Sequence, residues 1–188
     1  MVKLGVVGSP SDWLIASKAD YALIRSRLGI EMVDIPIEKV TSLGVVDGGV
    51  QGAELIYHRL KEIIQQYDLQ GLTLRCFDLL TTVHNTGCIA LSKLNDEGIP
   101  AACEGDIPAL LTMLLCYRQT GCTGFQVNPA RIEPHPLHTA KTRMLFAHCT
   151  IPSTMCEKIE LTTHFESVIG VSIAGDLPTG NYTLVKLS

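Results

Sequence analysis

Hydrophobic and polar positions along this chain follow two alternating periods. Short apolar runs at 3–8 (KLGVVG), 30–35 (IEMVDI), 72–77 (LTLRCF) and 100–103 (PAAC) have the length of buried strands. Segments of helical period lie between them. Ala19, Leu23, Ile24 and Leu28 set an apolar stripe over 16–28, closed by Gly29, and a short helix or turn follows over 37–43. Past the DGGV loop at 47–50, Leu55, Ile56, Leu60, Ile63 and Ile64 define the clearest amphipathic helix, 53–67, with Lys61, Glu62, Gln65 and Gln66 opposite. Helices over 86–95 and 107–118 complete the series. Such alternation predicts an α/β fold, a parallel-sheet layer with flanking helices.

After Gly124 the pattern changes. FQVNP predicts a fifth strand whose end carries Asn128, 130–141 a polar, proline-bearing stretch, and RMLFAHCT a strand ending at His148. KIELTTHF, VIGVSIAG and YTLVKL then alternate with glycine-containing turns, which predicts a small antiparallel β-barrel-like C-terminal region. The expected division is an α/β domain over 1–135 and a β-rich region over 136–188.

Charge narrows the function. The 15 basic and 19 acidic residues are well mixed and give a net charge of −4, with no basic tract to attract nucleic acid. No apolar run is long enough to span a membrane, and Lys3 and Asp12 argue against a signal peptide, so a cytoplasmic protein is expected. With 46% hydrophobic and only 18% charged residues, surface is expected to be buried against sister subunits in a homo-oligomer. The seven cysteines lie mostly in apolar segments, where Cys103, Cys116 and Cys149 read as core. No Cys-x-x-Cys pair is present, which argues against a structural zinc site or a redox dithiol.

The chemistry concentrates at the junction of the fourth strand and the helix that follows. Glu104 and Asp106, separated by Gly105, are two acids at a strand end, which is where ligands bind in open α/β sheets. Asp106 also reads as the N-cap of the next helix, with Pro108 in its first turn; that leaves Glu104 unexplained. Asp78, Asn128 and His148 are further polar strand-end residues, and with Glu104 they form an oxygen and nitrogen set suited to a divalent ion. His148 alternatively reads as a buried, hydrogen-bonded histidine. His84, His135, His138 and His164 are expected in loops or near strand ends, as exposed or supporting residues. Arg75, read as lying inside a strand, needs Asp78 or a ligand oxygen as partner. Arg118 suits a helix C-terminus. The GSPSDW loop offers either an anion cradle at Ser9 and Ser11 or, through Trp13, a loop anchor or cleft wall.

CEGDIPALLTM, the Asn128–Pro129 pair and FAHCTIPSTM together resemble the L-fucose isomerase and L-arabinose isomerase superfamily, and the L-fucose isomerase-like proteins within it. The similarity takes in GSPSDWLIAS, LTLRCFDLL, CIALSKLNDEGIPAACEGD and IAGDLPTGNYTLVKL. It implies that the chain corresponds to the middle and C-terminal portion of such an enzyme, without the N-terminal domain. It further implies aldose–ketose isomerisation of a small-molecule sugar, with manganese or another divalent metal and assembly with sister subunits. By this resemblance Glu104 is metal ligand and acid/base, Asp106 its catalytic neighbour, and Asn128 and His148 further ligands. Asn128 stands where the isomerases carry an acid, so a non-catalytic sugar-binding or regulatory relative is the alternative. An unrelated flavodoxin-like domain binding phosphate or a protein through GSPSDW is a third.

Overall fold

The computed structural model describes residues 1–15 and 17–187, and within these the side chains of 135 and 138–140 are not described. Four strands, β1 (Val2–Val7), β2 (Ile30–Ile35), β3 (Gly71–Leu74) and β4 (Ala101–Cys103), form a parallel sheet in the order β2-β1-β3-β4. The α/β expectation holds. Strand direction reverses its spread between β1 and β3, so the carboxyl edge there opens a crevice.

Side-chain alternation divides the core into two layers. Val7, Leu72, Leu74, Ala101 and Cys103 face one side, where they pack on α3 (Val50–Tyr67) and α5 (Cys88–Asp96) through Ile56, Leu60, Ile63, Leu91 and Leu94. Leu4, Val6 and Ala102 face the other, against Ile24 of α1 (Tyr21–Leu28) and Ile107, Leu110 and Leu111 of α6 (Ile107–Thr120). Burying both faces explains why these strands read as continuous apolar runs.

Several boundaries move for local reasons. Helix α1 begins at Tyr21 because Asp20 accepts from the Leu23 N–H at 3.0 Å and caps it. After α2 (Glu38–Thr41), the next difference falls at the third strand, which ends at Leu74. Arg75 supplies one last rung, N–H to the Val7 carbonyl, and the chain turns into α4 (Phe77–Thr82) with Leu79 buried. Arg75 is therefore not inside the strand, and Asp78 lies in the first turn of α4.

FQVNP is not a fifth strand. The side chain of Gln126 takes the place of a ladder: its Oε1 accepts from the Cys103 N–H at 2.7 Å, at the free edge of β4. Asn128 instead begins β5 (Asn128–His135), which pairs antiparallel with β6 (His138–Ala147), so the polar, proline-bearing stretch is a hairpin. β7 (Lys158–Thr162) and β8 (Ser172–Asp176) form a second antiparallel pair. Antiparallel structure after Gly124 is as expected, arranged as two two-stranded sheets. YTLVKL forms no strand: residues 182–186 are exposed, and Leu187 lies against α6, its N–H 3.3 Å from Thr112 Oγ1.

The C-terminal segments sit on α3 and α5. Ile151, Val171 and Ile173 close over Ala53 and Ile89. Side-chain bonds fix this packing: Ser92 Oγ donates to the Ile151 carbonyl at 2.6 Å, and Thr86 Oγ1 to the Val171 carbonyl at 2.9 Å. Among the described residues no helix is long and apolar enough to cross a membrane.

Candidate functional site

The Glu104–Gly105–Asp106 turn links β4 to α6. Both Glu104 (φ 66°) and Gly105 (φ 67°) adopt the left-handed conformation. For glutamate this costs about 1 kcal/mol, a strain of the kind that collects at functional sites. Gly105 is required: a Cβ there would lie 2.5 Å from the Ser9 carbonyl oxygen. Backbone bonds pin the turn, Gly105 N–H to the Leu74 carbonyl (3.1 Å) and Ser11 N–H to the Gly105 carbonyl (3.0 Å). Asp106 caps α6 by accepting from the Ala109 N–H at 2.9 Å. Burial raises its pKa above the usual carboxylate value, with Glu104 adding and the Ala109 N–H, Lys186 and His148 opposing.

Glu104 meets two residues far along the chain. In the hairpin register Asn128 stands opposite Ala147, which places it beside His148. Asn128 Nδ2 lies 3.5 Å from Glu104 Oε1, and His148 Nε2 lies 3.4 Å from the same oxygen. The side chains of His148 and Glu104 are 4% and 12% exposed. His148 Nδ1 is 3.0 Å from Thr150 Oγ1, whereas Nε2 is buried without a hydrogen-bond partner among the described residues. A buried ring nitrogen 3.4 Å from a carboxylate oxygen is stabilised as imidazolium, and the same two atoms could hold a cation between them. Burial pulls the His148 pKa down, but Cys149 and Glu104 outweigh it and hold it at about 10.

These three residues line a cavity of about 970 Å³ that also takes in Phe77, Phe146 and His164. It lies between the carboxyl edge of the sheet and the C-terminal strands. A smaller cleft of about 450 Å³, by Val45, Leu80 and Ile169, is mainly apolar and brings together no comparable set of polar groups.

Asp78 does not join this set. It pairs with Arg75 (Nε to Oδ1, 3.4 Å), the partner expected for that arginine, which also reaches Asp12 at 3.4 Å. The Arg75 guanidinium covers the Trp13 ring at 4.7 Å, and Trp13 meets Phe77 edge-on at 5.6 Å, so Trp13 anchors its loop. Arg118 closes the last turn of α6, and His84 is exposed. The side chains of His135 and His138 lie outside the described residues.

Two features differ from the sequence reading. His164 lies just past a strand end, in the connection from β7 to β8, as expected, but it is buried rather than exposed, edge-on to Phe77. Four cysteines also gather here despite the lack of a Cys-x-x-Cys pair: Cys76, Cys103 and Cys149 line the cavity, and Cys88 lies behind Cys149. Cys88 and Cys149 sulfurs are 3.2 Å apart, and Cys103 and Cys76 sulfurs 2.6 Å. Hydrogen bonds from Cys103 and Cys88, aided by the two histidines, hold Cys149 far below an ordinary thiol, whereas Cys88 and Cys103 are raised. Cys116 is only half-buried. No local motif announces this cluster, because the fold collects its members from four separate segments.

Over 87 residues the chain is 30% identical to a sulfoquinovose isomerase from Alkalicoccus urumqiensis. That protein is a sugar isomerase. The aligned stretch is 46% of this chain and 20% of the isomerase, so the chain spans about a fifth of the relative it matches. No family model matches the sequence. The similarity supports a coarse statement: the chain is sugar-isomerase-like over that stretch.

Proposed function

We propose that this chain carries the site of a metal-dependent aldose–ketose isomerase, and that Glu104, Asn128 and His148 hold the metal. The supporting observation is the meeting of these three side chains at one cavity wall, with the unpartnered His148 Nε2 aimed at Glu104. The donor set, a carboxylate, an imidazole and the Asn128 amide once turned to present its oxygen in place of Nδ2, suits manganese or a similar divalent ion. Thr150 Oγ1 would fix the ring by accepting from Nδ1, as residues behind a ligating histidine do. When bound, the metal would polarise the sugar carbonyl and the adjacent hydroxyl.

The chain's own groups do the rest. Glu104 moves the proton between C1 and C2 of the open-chain sugar. Asp106, one residue past Gly105 and held by the α6 terminus, orients the turn that aims Glu104 and shares its proton load. Phe77, Phe146 and the C-terminal strands exclude water from the cavity. Exposed Ile132 and Leu145 on the β5–β6 hairpin suit assembly with further copies of the chain, which is part of the reading.

Titration calorimetry of metal-stripped protein with Mn²⁺ tests the site. Micromolar binding is expected, weakened at least about 100-fold by Glu104→Gln. Incorporation of solvent deuterium at C2 of an aldose, reduced about 10²–10⁴-fold in Glu104→Gln, tests the base. Absence of Mn²⁺ binding in both proteins would overturn the metal assignment. The second reading, a sugar-binding relative without catalysis, is favoured by Asn128, whose amide supplies a donor where the isomerases carry an acid. Sugar binding that is independent of metal would support it.

A further inference from the structure

The cysteines at and behind the cavity wall, and His164 lining it, are left unused by the proposed isomerase chemistry. Cys88 opens α5, Cys149 follows His148, and His164 lies in the connection from β7 to β8. Each is buried, and their sulfur and ring-nitrogen atoms all lie within 4.8 Å of one another. Cys103, at the end of β4, contacts the Cys76 sulfur at 2.6 Å and interacts electrostatically with Cys149.

We infer that Cys88, Cys149 and His164 form a second metal site, selective for a soft, thiolate-seeking divalent ion of the zinc class, with Cys103 as fourth ligand. Zinc–sulfur bonds of about 2.3 Å and zinc–nitrogen bonds of about 2.0 Å put tetrahedral donors roughly 3.5–3.8 Å apart. The Cys88–Cys149 separation of 3.2 Å and the 4.8 Å bound on the trio leave adjustments of roughly 1 Å to reach that geometry. Thiolate and imidazole donors favour zinc over the manganese suited to the oxygen-rich set at Glu104. Ser167 fixes the His164 ring at Nδ1, its backbone N–H donating at 3.3 Å and its Oγ lying 3.1 Å away. Binding deprotonates those thiols that still carry a proton and releases it to solvent. The role is structural: the ion would clip α5 to segments 61 and more residues further along the chain.

This site stands independently of the isomerase reading, and one experiment separates them. Chelator-treated full chain is titrated with Co²⁺ as a spectroscopic probe and with Zn²⁺ by competition. Expected are an intense thiolate-to-cobalt charge-transfer band, one equivalent of Zn²⁺ retained through gel filtration, and a raised melting temperature with Zn²⁺. Cys88→Ser and Cys149→Ser should each lower Zn²⁺ affinity more than about 100-fold. Glu104→Gln should leave the band intact while losing Mn²⁺. A band about a third weaker in Cys103→Ser supports its place as third thiolate; an unchanged band overturns that assignment. Absence of the band in wild type, or its persistence at full intensity in Cys88→Ser and Cys149→Ser, overturns the site. The wild-type spectrum decides even where a serine variant fails to fold.

Discussion

The turn at 104–106 concentrates three different demands on three adjacent residues. Gly105 must be achiral, because its φ is positive and the Ser9 backbone stands where a Cβ would go. Gly105→Ala should cost about 1–3 kcal/mol, read by urea unfolding. Asp106 carries the cap, so Asp106→Ala should cost about 1 kcal/mol, whereas Asp106→Asn should stay within about 0.5 kcal/mol because the amide oxygen still accepts from Ala109. The cap was legible in the sequence from an acid two residues before a proline at a helix start. The pairing of Glu104 with His148 was legible as two polar strand ends of one candidate ligand set and through the family resemblance; their contact depends on the hairpin register, which no local pattern encodes. His164 escaped the sequence reading for a related reason. Its burial comes from Phe77, contributed by a helix that was read as the end of a strand.

Elements were most readable where one face is apolar over several turns. α3 shows this, and the sequence reading missed only its first turn. β3 and β4 were readable because both faces are buried. Reading failed where a side chain substitutes for backbone, as Gln126 does at the edge of β4, and where a charged residue follows a strand, as Arg75 does. α3 and α5 are also tied on their outer side. Glu97 accepts from Lys61 Nζ at 2.6 Å and from the Tyr57 hydroxyl. Burial pushes the Glu97 pKa up, but these two bonds prevail and lower it below its ordinary 4.5. The sign follows: a carboxylate with a depressed folded-state pKa stabilises above its unfolded value and loses that contribution as pH falls through the folded one. Glu97→Gln should therefore be less stable than wild type by about 0.5 kcal/mol near neutrality, the pair being partly exposed. The difference should close below pH 4.5, as followed by thermal melts across an acid series.

At the scale of the molecule, the α/β class and the switch to antiparallel structure after Gly124 followed from periodicity alone. How the two parts dock did not, because docking rests on single polar side chains. Asn85 is fully buried: its Nδ2 donates to the carbonyls of Asp47 (2.8 Å) and Gly49 (3.0 Å), and its Oδ1 accepts from Thr86 (2.7 Å) and Val171 (3.3 Å). Asn85→Ala strands these backbone groups and should cost about 2–4 kcal/mol in denaturant unfolding. Few apolar side chains join the C-terminal segments to α5, whereas the sheet is buried on both sides. Such a chain opens in stages. The segment bearing His148 and His164 can lift away while β1 to β4 keep their amides protected from solvent exchange. Heat or denaturant would then dismantle the cavity before the sheet melts, so that loss of ligand binding and loss of secondary structure become two separable events.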